Sequence, residues 1–208
     1  MRNMAKLERS VRYLLAWAPT IAMARVAIAQ RAIPEAVLEA GTLSFLGHAT
    51  VGDFVGTTAS VTGTITGGGD YSTTHGWVEA PVTSLVTGND RRDRDLRSSM
   101  EVDRYPRLRF ELNGATLAAP AWSPGVDSTT LLLHGTLLIH GVSRRVDIPA
   151  TAVRSADTTR IRCHFPLDLA DYGIGGLTKM LGLLRMQRMI EVRVDLRFVD
   201  RPSVSANP

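Results

Sequence analysis

Cysteine occurs once in the 208 residues, at Cys163. An intramolecular disulfide and a cysteine-rich metal site are therefore excluded, and the lone thiol fits an oxidising or a reducing compartment equally well. Aromatic residues make up only 6% of the chain, so a large interior would have to be lined mainly by aliphatic and small side chains. The uncharged run Tyr13–Ala24 falls short of the roughly 20 residues that a membrane-spanning helix needs. Motifs of catalysis are also missing. There is no G-x-S-x-G elbow, no G-x-x-x-x-G-K-[ST] phosphate loop and no glycine fingerprint of a dinucleotide site. His48, His75, His134, His140 and His164 form no zinc spacing. The sequence thus predicts no catalytic constellation, no metal and no cofactor.

Nor is there a real excess of one charge in the body of the chain. The formal net charge is +4, but five of the 24 basic residues and only one of the 20 acidic ones lie in residues 1–29, which leaves 19 of each elsewhere. That distribution removes the main support for a nucleic-acid partner. What the basic residues do resemble is a leader. Arg2, Lys6, Arg9 and Arg12 precede the uncharged run, and Ala27-Ile28-Ala29 has the small-x-small form of a cleavage site before Gln30. Residues 1–29 are accordingly expected to be a signal peptide of a periplasmic or secreted protein. The alternative is an amphipathic leader on a cytoplasmic one. Residues 30–40 read as a linker or short helix, residues 41–200 as a single domain and residues 201–208 as a tail.

Within that domain the signal is period two. Thr42–His48 reads as a strand, followed by a long Thr/Val/Gly alternation in which Val55, Ala59, Val61 and Ile65 share one face and Thr58, Ser60, Thr62, Thr64 and Thr66 the other. Gly67–Asp70 supplies a turn and Trp77–Val82 another strand, limited by Pro81. Leu108, Phe110 and Leu112 alternate with Arg107, Arg109 and Glu111. Ala118–Gly125 reads as a loop, Leu131–His140 as a strand, Gly141–Ser143 as a turn and Arg145–Ala150 as its return. Ile161, Cys163, Phe165 and Leu167 alternate with Arg162, His164 and Pro166. Val192, Val194, Leu196 and Phe198 alternate with Glu191, Arg193, Asp195 and Arg197. A strand apolar on one face and charged on the other has one face in water, as antiparallel sheets allow. Many such strands at short spacing predict an all-β antiparallel barrel or sandwich.

One segment departs from this period. Leu177, Met180, Leu181 and Leu184 fall at helical spacing, so Leu177–Met189 is expected to be a short helix, either plugging a barrel end or forming a methionine-rich flap. His134 and His140 lie opposite in parity to Leu131, Leu133, Leu137 and Ile139 and should point away from the core. Cys163 lies among apolar neighbours with no adjacent base and reads as an inert buried thiol. Asp168 and Asp171 read as turn residues. Inward positions are often small (Ala59, Gly63, Gly135, Val194), which suggests an underfilled interior, and a closed sheet of about eight strands has room for one apolar ligand.

Three motifs together point to a family. Thr87-Gly88-Asn89, then Arg92-Asp93-x-x-Leu96-Arg97-Ser98, then Tyr105-Pro106 and Phe110, resemble the T-x-N…R-D-x-x-L-R-S…Y-P-x-x-x-F signature of the YceI-like family. Gly135–Val142 is similar to that family's G-x-L-x-I-x-G-V hairpin, and Asp171-Tyr172-Gly173-Ile174 to its D-F-G-I element. The resemblance spans roughly residues 41–199. It implies a lipocalin-like antiparallel β-barrel of about eight strands with one or two short helices, which holds a polyisoprenoid or similar long-chain lipid and is exported to the bacterial periplasm. Two departures bear on the head group. Leu169 stands where the family often has an arginine, and Met100-Glu101-Val102-Asp103 replaces an acidic-aromatic cluster. Both favour a neutral-headed lipid over a pyrophosphate.

The expected activity is therefore non-enzymatic carriage or storage of a long-chain isoprenoid or fatty lipid, lined by Phe45, Phe54, Leu108, Phe110, Leu112, Leu137, Ile139, Ile161, Phe165, Val194, Leu196 and Phe198. Arg92, Asp93 and Arg97 are expected to form a hydrogen-bonded connection that closes the barrel, with head-group contact as the lesser alternative. Two other functions stay open: an accessory protein or enzyme acting on an isoprenoid quinone, and an envelope structural protein with a filled barrel. Oligomeric state is left open, with a homodimer as one option.

Overall fold

Alternating sequence becomes a closed sheet. The computed structural model describes residues 33–50, 52–67, 70–118, 128–175, 178–179 and 184–201. The expected leader, most of the Ala118–Gly125 loop, Gly68 and Gly69 of the expected turn, and residues 202–208 of the tail lie outside them. The strands are β1 (Ile33–Ala49), β2 (Phe54–Thr58), β3 (Thr62–Gly67), β4 (His75–Pro81), β5 (Arg107–Leu117), β6 (Ser128–Ile139), β7 (Val142–Ser155), β8 (Thr158–Asp168), β9 (Thr178–Lys179) and β10 (Leu184–Asp200). One α-helix, α1 (Asp90–Ser99), lies between β4 and β5, and short 3₁₀ turns occupy Tyr71–Thr73, Val82–Ser84 and Leu169–Tyr172.

Neighbouring strands pair antiparallel in the order β1-β3-β4-β5-β6-β7-β8-β10, and pairing of β10 with β1 closes the ring at eight strands. β2 is an extra strand along β1, and β9 pairs with the start of β10. β10 shows why this sequence closes. Val192, Val194, Leu196 and Phe198 face inward, while Asp195 on the outer face pairs with Arg160 at 2.6 Å and Arg162 at 3.2 Å on β8. The hydrogen bonds from Arg160 hold the Asp195 carboxyl below its ordinary value. Strand ends β1 and β10 are further tied outside by Arg197 to Glu39 and Arg201 to Glu35.

Three expectations fail here for identifiable reasons. β1 begins at Ile33, inside the expected linker, because residues 36–38 pair with β10 and residues 36–37 with β3. The expected helix Leu177–Met189 is a strand pair wherever it is described. Thr178–Lys179 pair with Arg185 and Leu184, and Met186 continues along β1 opposite Ala49; ladder pairing on several sides outweighs four apolar residues at helical spacing. The turn between β6 and β7 is His140-Gly141 rather than Gly141–Ser143. Both residues have positive φ, 50° and 74°, as a two-residue type I′ hairpin requires, and this brings Ile139 opposite Val142.

Parity of the Thr/Val/Gly run is the fourth difference. β2 and β3 lie along β1 in one register, with Leu43 opposite Thr58 and Val37 opposite Thr64. Between them the Ser60 N–H donates to Thr58 Oγ1 and the Val61 N–H to the Ala59 carbonyl, each at 2.9 Å. Across that break the inward face changes from Gly56 and Thr58 to Val61, Gly63 and Ile65. Val55, expected inward, is 54% exposed, and Thr58 only 3%; Ala59 is exposed as well. β1 makes the matching change at a bulge between Leu38 and Ala40, so paired side chains still share a side.

Candidate ligand cavity

Inside the ring the core divides into two clusters. One end is filled by Ala36, Leu112, Ala115, Leu131, Ile148 and Phe198, among others. The other gathers Phe45, Val82, Leu85, Met100, Ile139, Leu167, Tyr172 and Ile190. Between and along them runs a cavity of about 190 Å³ whose exposed surface is apolar, with Glu79, Ser99 and Arg109 the polar residues among those that line it. For scale, an engineered apolar hole of roughly 150 Å³ stays dry and binds benzene.

Eleven of the twelve residues expected to line a cavity do so. Leu108, Phe110 and Leu112 come from β5, Leu137 and Ile139 from β6, Ile161 and Phe165 from β8, Val194, Leu196 and Phe198 from β10, and Phe45 from β1. The ladders bring them together: Phe110 stands opposite Leu137, Ile161 opposite Leu196, and Phe45 opposite Val192. Phe54 is the exception. It sits on β2, outside the ring, and its ring meets Phe45 edge-on at 6.0 Å. Small residues make room for these rings, as at Gly56, where a Cβ would fall 2.2 Å from the Phe45 ring.

Further lining residues were not singled out from sequence. Leu133 and Ile148 had the inward parity to be found. Leu96 and Met100, four apart on α1 and its cap, were hidden by the charges around them. Met186 lies in the stretch expected to be helical.

The segment that carries Arg92, Asp93 and Arg97 is α1. Asn89 caps it, accepting from the Arg92 N–H at 3.0 Å, and Asp90 and Asp93 in the first turn complement the helix dipole. Asp93 is buried, and its Oδ1 accepts from both the N–H and the hydroxyl of Thr87, at 2.9 and 2.6 Å. Arg92 lies over the Phe54 ring, 4.3 Å from its centroid. Arg97 donates to the Thr83 carbonyl at 3.4 Å, and its Nε is buried without a partner. The inner side of α1 presents Leu96 and Ser99 to the cavity, followed by Met100. Arg109 and Glu79 line the cavity at β5 and β4; Arg109 is engaged by Glu79 and Glu111 and stacks on Trp77 at 4.8 Å.

Reactive groups lie elsewhere or are quenched. Cys163 reaches the cavity wall, and burial pushes its thiol up to about 12. Asp168 caps the 3₁₀ turn through the Ala170 N–H at 3.0 Å and pairs with Arg188. Asp171 pairs with Arg144 at 3.8 Å. On the outer face, Thr116 Oγ1 lies 3.0 Å from His134 Nε2, and His134 Nδ1 lies 2.7 Å from Asp147. That is the bonding order of a nucleophile, base and orienting acid. These groups stand on the outer face of the sheet, with the His134 and Asp147 side chains 37% and 64% exposed, away from the cavity. Among the described residues, no group of three or more His, Cys, Asp or Glu could hold a metal ion.

The profile of the YceI-like domain matches residues 37–198. No curated protein sequence matches the chain. Among solved structures, a polyisoprenoid binding domain from Saccharophagus degradans, implicated in plant cell wall breakdown, superposes with TM-score 0.63 at 16% identity, over 81% of this chain and 99% of that one. BcnA of Burkholderia cenocepacia gives 0.61 at 13% identity, over 76% and 95%. A Campylobacter jejuni YCEI protein gives 0.56 at 16% identity, over 71% and 85%. At these identities the likeness is one of fold.

Proposed function

The chain belongs to the YceI-like domain family, and from that premise we propose that it is a non-enzymatic carrier or store of a long-chain isoprenoid or similar lipid with an uncharged head. The observation that carries this reading is the closed eight-stranded ring around a cavity with an apolar exposed surface. The polyisoprenoid binding named for the Saccharophagus domain supports the same ligand class.

Energetics favour such cargo. Each buried methylene contributes ~0.8 kcal/mol, so ten carbons supply ~8 kcal/mol, near micromolar affinity before ordering costs. A longer chain extends toward the α1 end, where Met100 and Met186 line the cavity and flexible thioether side chains can adjust. An uncharged head is supported by the engagement of the cations on and near the wall. Arg92 is stacked on Phe54, Arg97 turns to the Thr83 carbonyl, and Arg109 is held between two glutamates.

The test is competitive capture from vesicles that contain a long-chain isoprenol and the corresponding isoprenyl pyrophosphate. The expected result is about one equivalent of isoprenol retained after gel filtration. Retention of the pyrophosphate alone, or of neither, contradicts the proposal.

A further inference from the structure

His140 occupies an unusual position: it joins three segments that each carry the cavity wall. Its Nδ1 lies 3.2 Å from the carbonyl oxygen of Tyr172 and its Nε2 lies 3.2 Å from a carboxylate oxygen of Glu101. Its ring meets Tyr105 edge-on, with centroids 4.7 Å apart. Each of the three segments also carries wall residues close by in sequence. Met100 precedes Glu101, Ile139 precedes His140, and Leu169 and Ile174 flank Tyr172. The side chain of His140 is only 12% exposed.

The bonding poses a proton problem. A carbonyl oxygen and a carboxylate oxygen are both acceptors, so both imidazole nitrogens must donate if both bonds are to be made. A neutral imidazole has one N–H and one lone pair, while the imidazolium has two N–H groups. The two bonds therefore coexist only in the protonated ring. In the neutral ring one of them is replaced by a lone pair facing an acceptor. Glu101 also holds positive φ, at 45°, a conformation that costs a non-glycine residue free energy unless surrounding contacts impose it.

The charged and titratable groups on each packed segment are few. From the turn after α1 come Glu101, Asp103, Arg104, which lies 4.0 Å from Glu101, and the Tyr105 phenol, over which Arg104 stacks. From the 3₁₀ turn come Asp171 and the buried Tyr172. From β7 comes Arg144, whose Nε donates to the Asp171 carbonyl at 2.8 Å and whose guanidinium pairs with the Asp171 carboxylate. Of these, only Glu101 meets an imidazole nitrogen with a charged group.

We propose that His140 is a proton-operated clasp on the α1 end of the cavity. Protonated, it ties the turn at Glu101, the β6–β7 turn and the 3₁₀ turn together and slows exchange of the contents. Deprotonated, it releases one tie and the end loosens. Loss of the second imidazole N–H removes one of the two bonds, so the clasp opens as pH rises. The part that concerns cargo rests on the lipid-carrier reading above; the part that concerns the clasp does not.

Two readouts keep them apart. Hydrogen exchange of the amides of residues 100–105 and 169–174, corrected for intrinsic pH dependence, should show protection about tenfold greater at pH 5.5 than at pH 8, the scale of one hydrogen bond to a charged group. His140→Asn, whose side chain tolerates the left-handed backbone, and Glu101→Gln, whose amide can turn an N–H donor to the lone pair of a neutral imidazole, should each flatten that difference. Release of N-phenyl-1-naphthylamine, an apolar fluorophore, should accelerate by a similar factor over the same interval in the wild type only. Protection equal at the two pH values, or a difference that survives in both variants, overturns the clasp. A fluorophore that fails to bind while protection still follows pH overturns the carrier reading and leaves the clasp standing.

Discussion

Single side chains decide where this barrel is inert and where it is held. Cys163 reaches the cavity wall, and burial pushes its thiol up to about 12 from an ordinary value near 9. At pH 8 the folded protein should therefore present roughly a thousandfold less thiolate than the unfolded chain. Iodoacetamide labelling at that pH, followed by mass spectrometry in buffer and in urea, should differ by about that factor; similar rates in both would mean that the thiol is not enclosed. The thiol's inward placement was legible from its alternation with Ile161, Phe165 and Leu167. Phe54 was not legible in the same way. It alternates and is aromatic like the residues that do line the cavity, yet it lies on an extra strand, where Phe45 and Arg92 cover it. A pattern along one strand says which face is apolar and does not say whether that strand belongs to the ring.

At the level of elements, α1 shows how local chemistry holds a barrel end. Its seating depends on Asp93, whose one oxygen takes both donors of Thr87. Asp93→Ala would leave those donors unanswered in a buried place and should lower stability by ~1.5–3 kcal/mol, measured by urea unfolding. A loss below a few tenths would show that α1 is held by Leu96 and Met100 alone. Strands with charge on one face and aliphatics on the other, such as Glu191–Phe198, could be read directly from sequence. Elements that alter period could not. The bulge at Leu38–Ala40 and the break at Ala59–Val61 each shift parity by one residue, and a shift of one turns every later side chain to the opposite face. α1 was obscured because its seven charged residues leave Leu96 as its one large apolar side chain. Leu177–Met189 misled in the other direction, since its spacing suggested a helix where ladder partners on β1 and β9 dictate a strand.

Seen whole, the molecule is a ring whose outer charges are largely paired and whose interior is left partly empty. Arg160, Arg162 and Asp195, Arg107 and Glu79, and Arg201 and Glu35 bind strand to strand on the outside. Inside, aromatic rings over glycines and a run of aliphatics leave an apolar cavity. The motifs recognised in the sequence meet in space at one end: the turn before Tyr105, the His140-Gly141 hairpin and the Tyr172 turn all touch one histidine. That convergence links the residues that identify the family to the wall of the cavity. Whether the cavity carries a long-chain lipid can be read from native mass spectrometry of the protein purified from its own host. The expected spectrum holds a species heavier than the polypeptide by one long-chain lipid, which gentle collisional activation removes and which is absent from a Val194→Trp variant that keeps the same folded charge-state distribution. A wild type that flies at the bare polypeptide mass, indistinguishable in ligand content from Val194→Trp, would contradict the carrier reading.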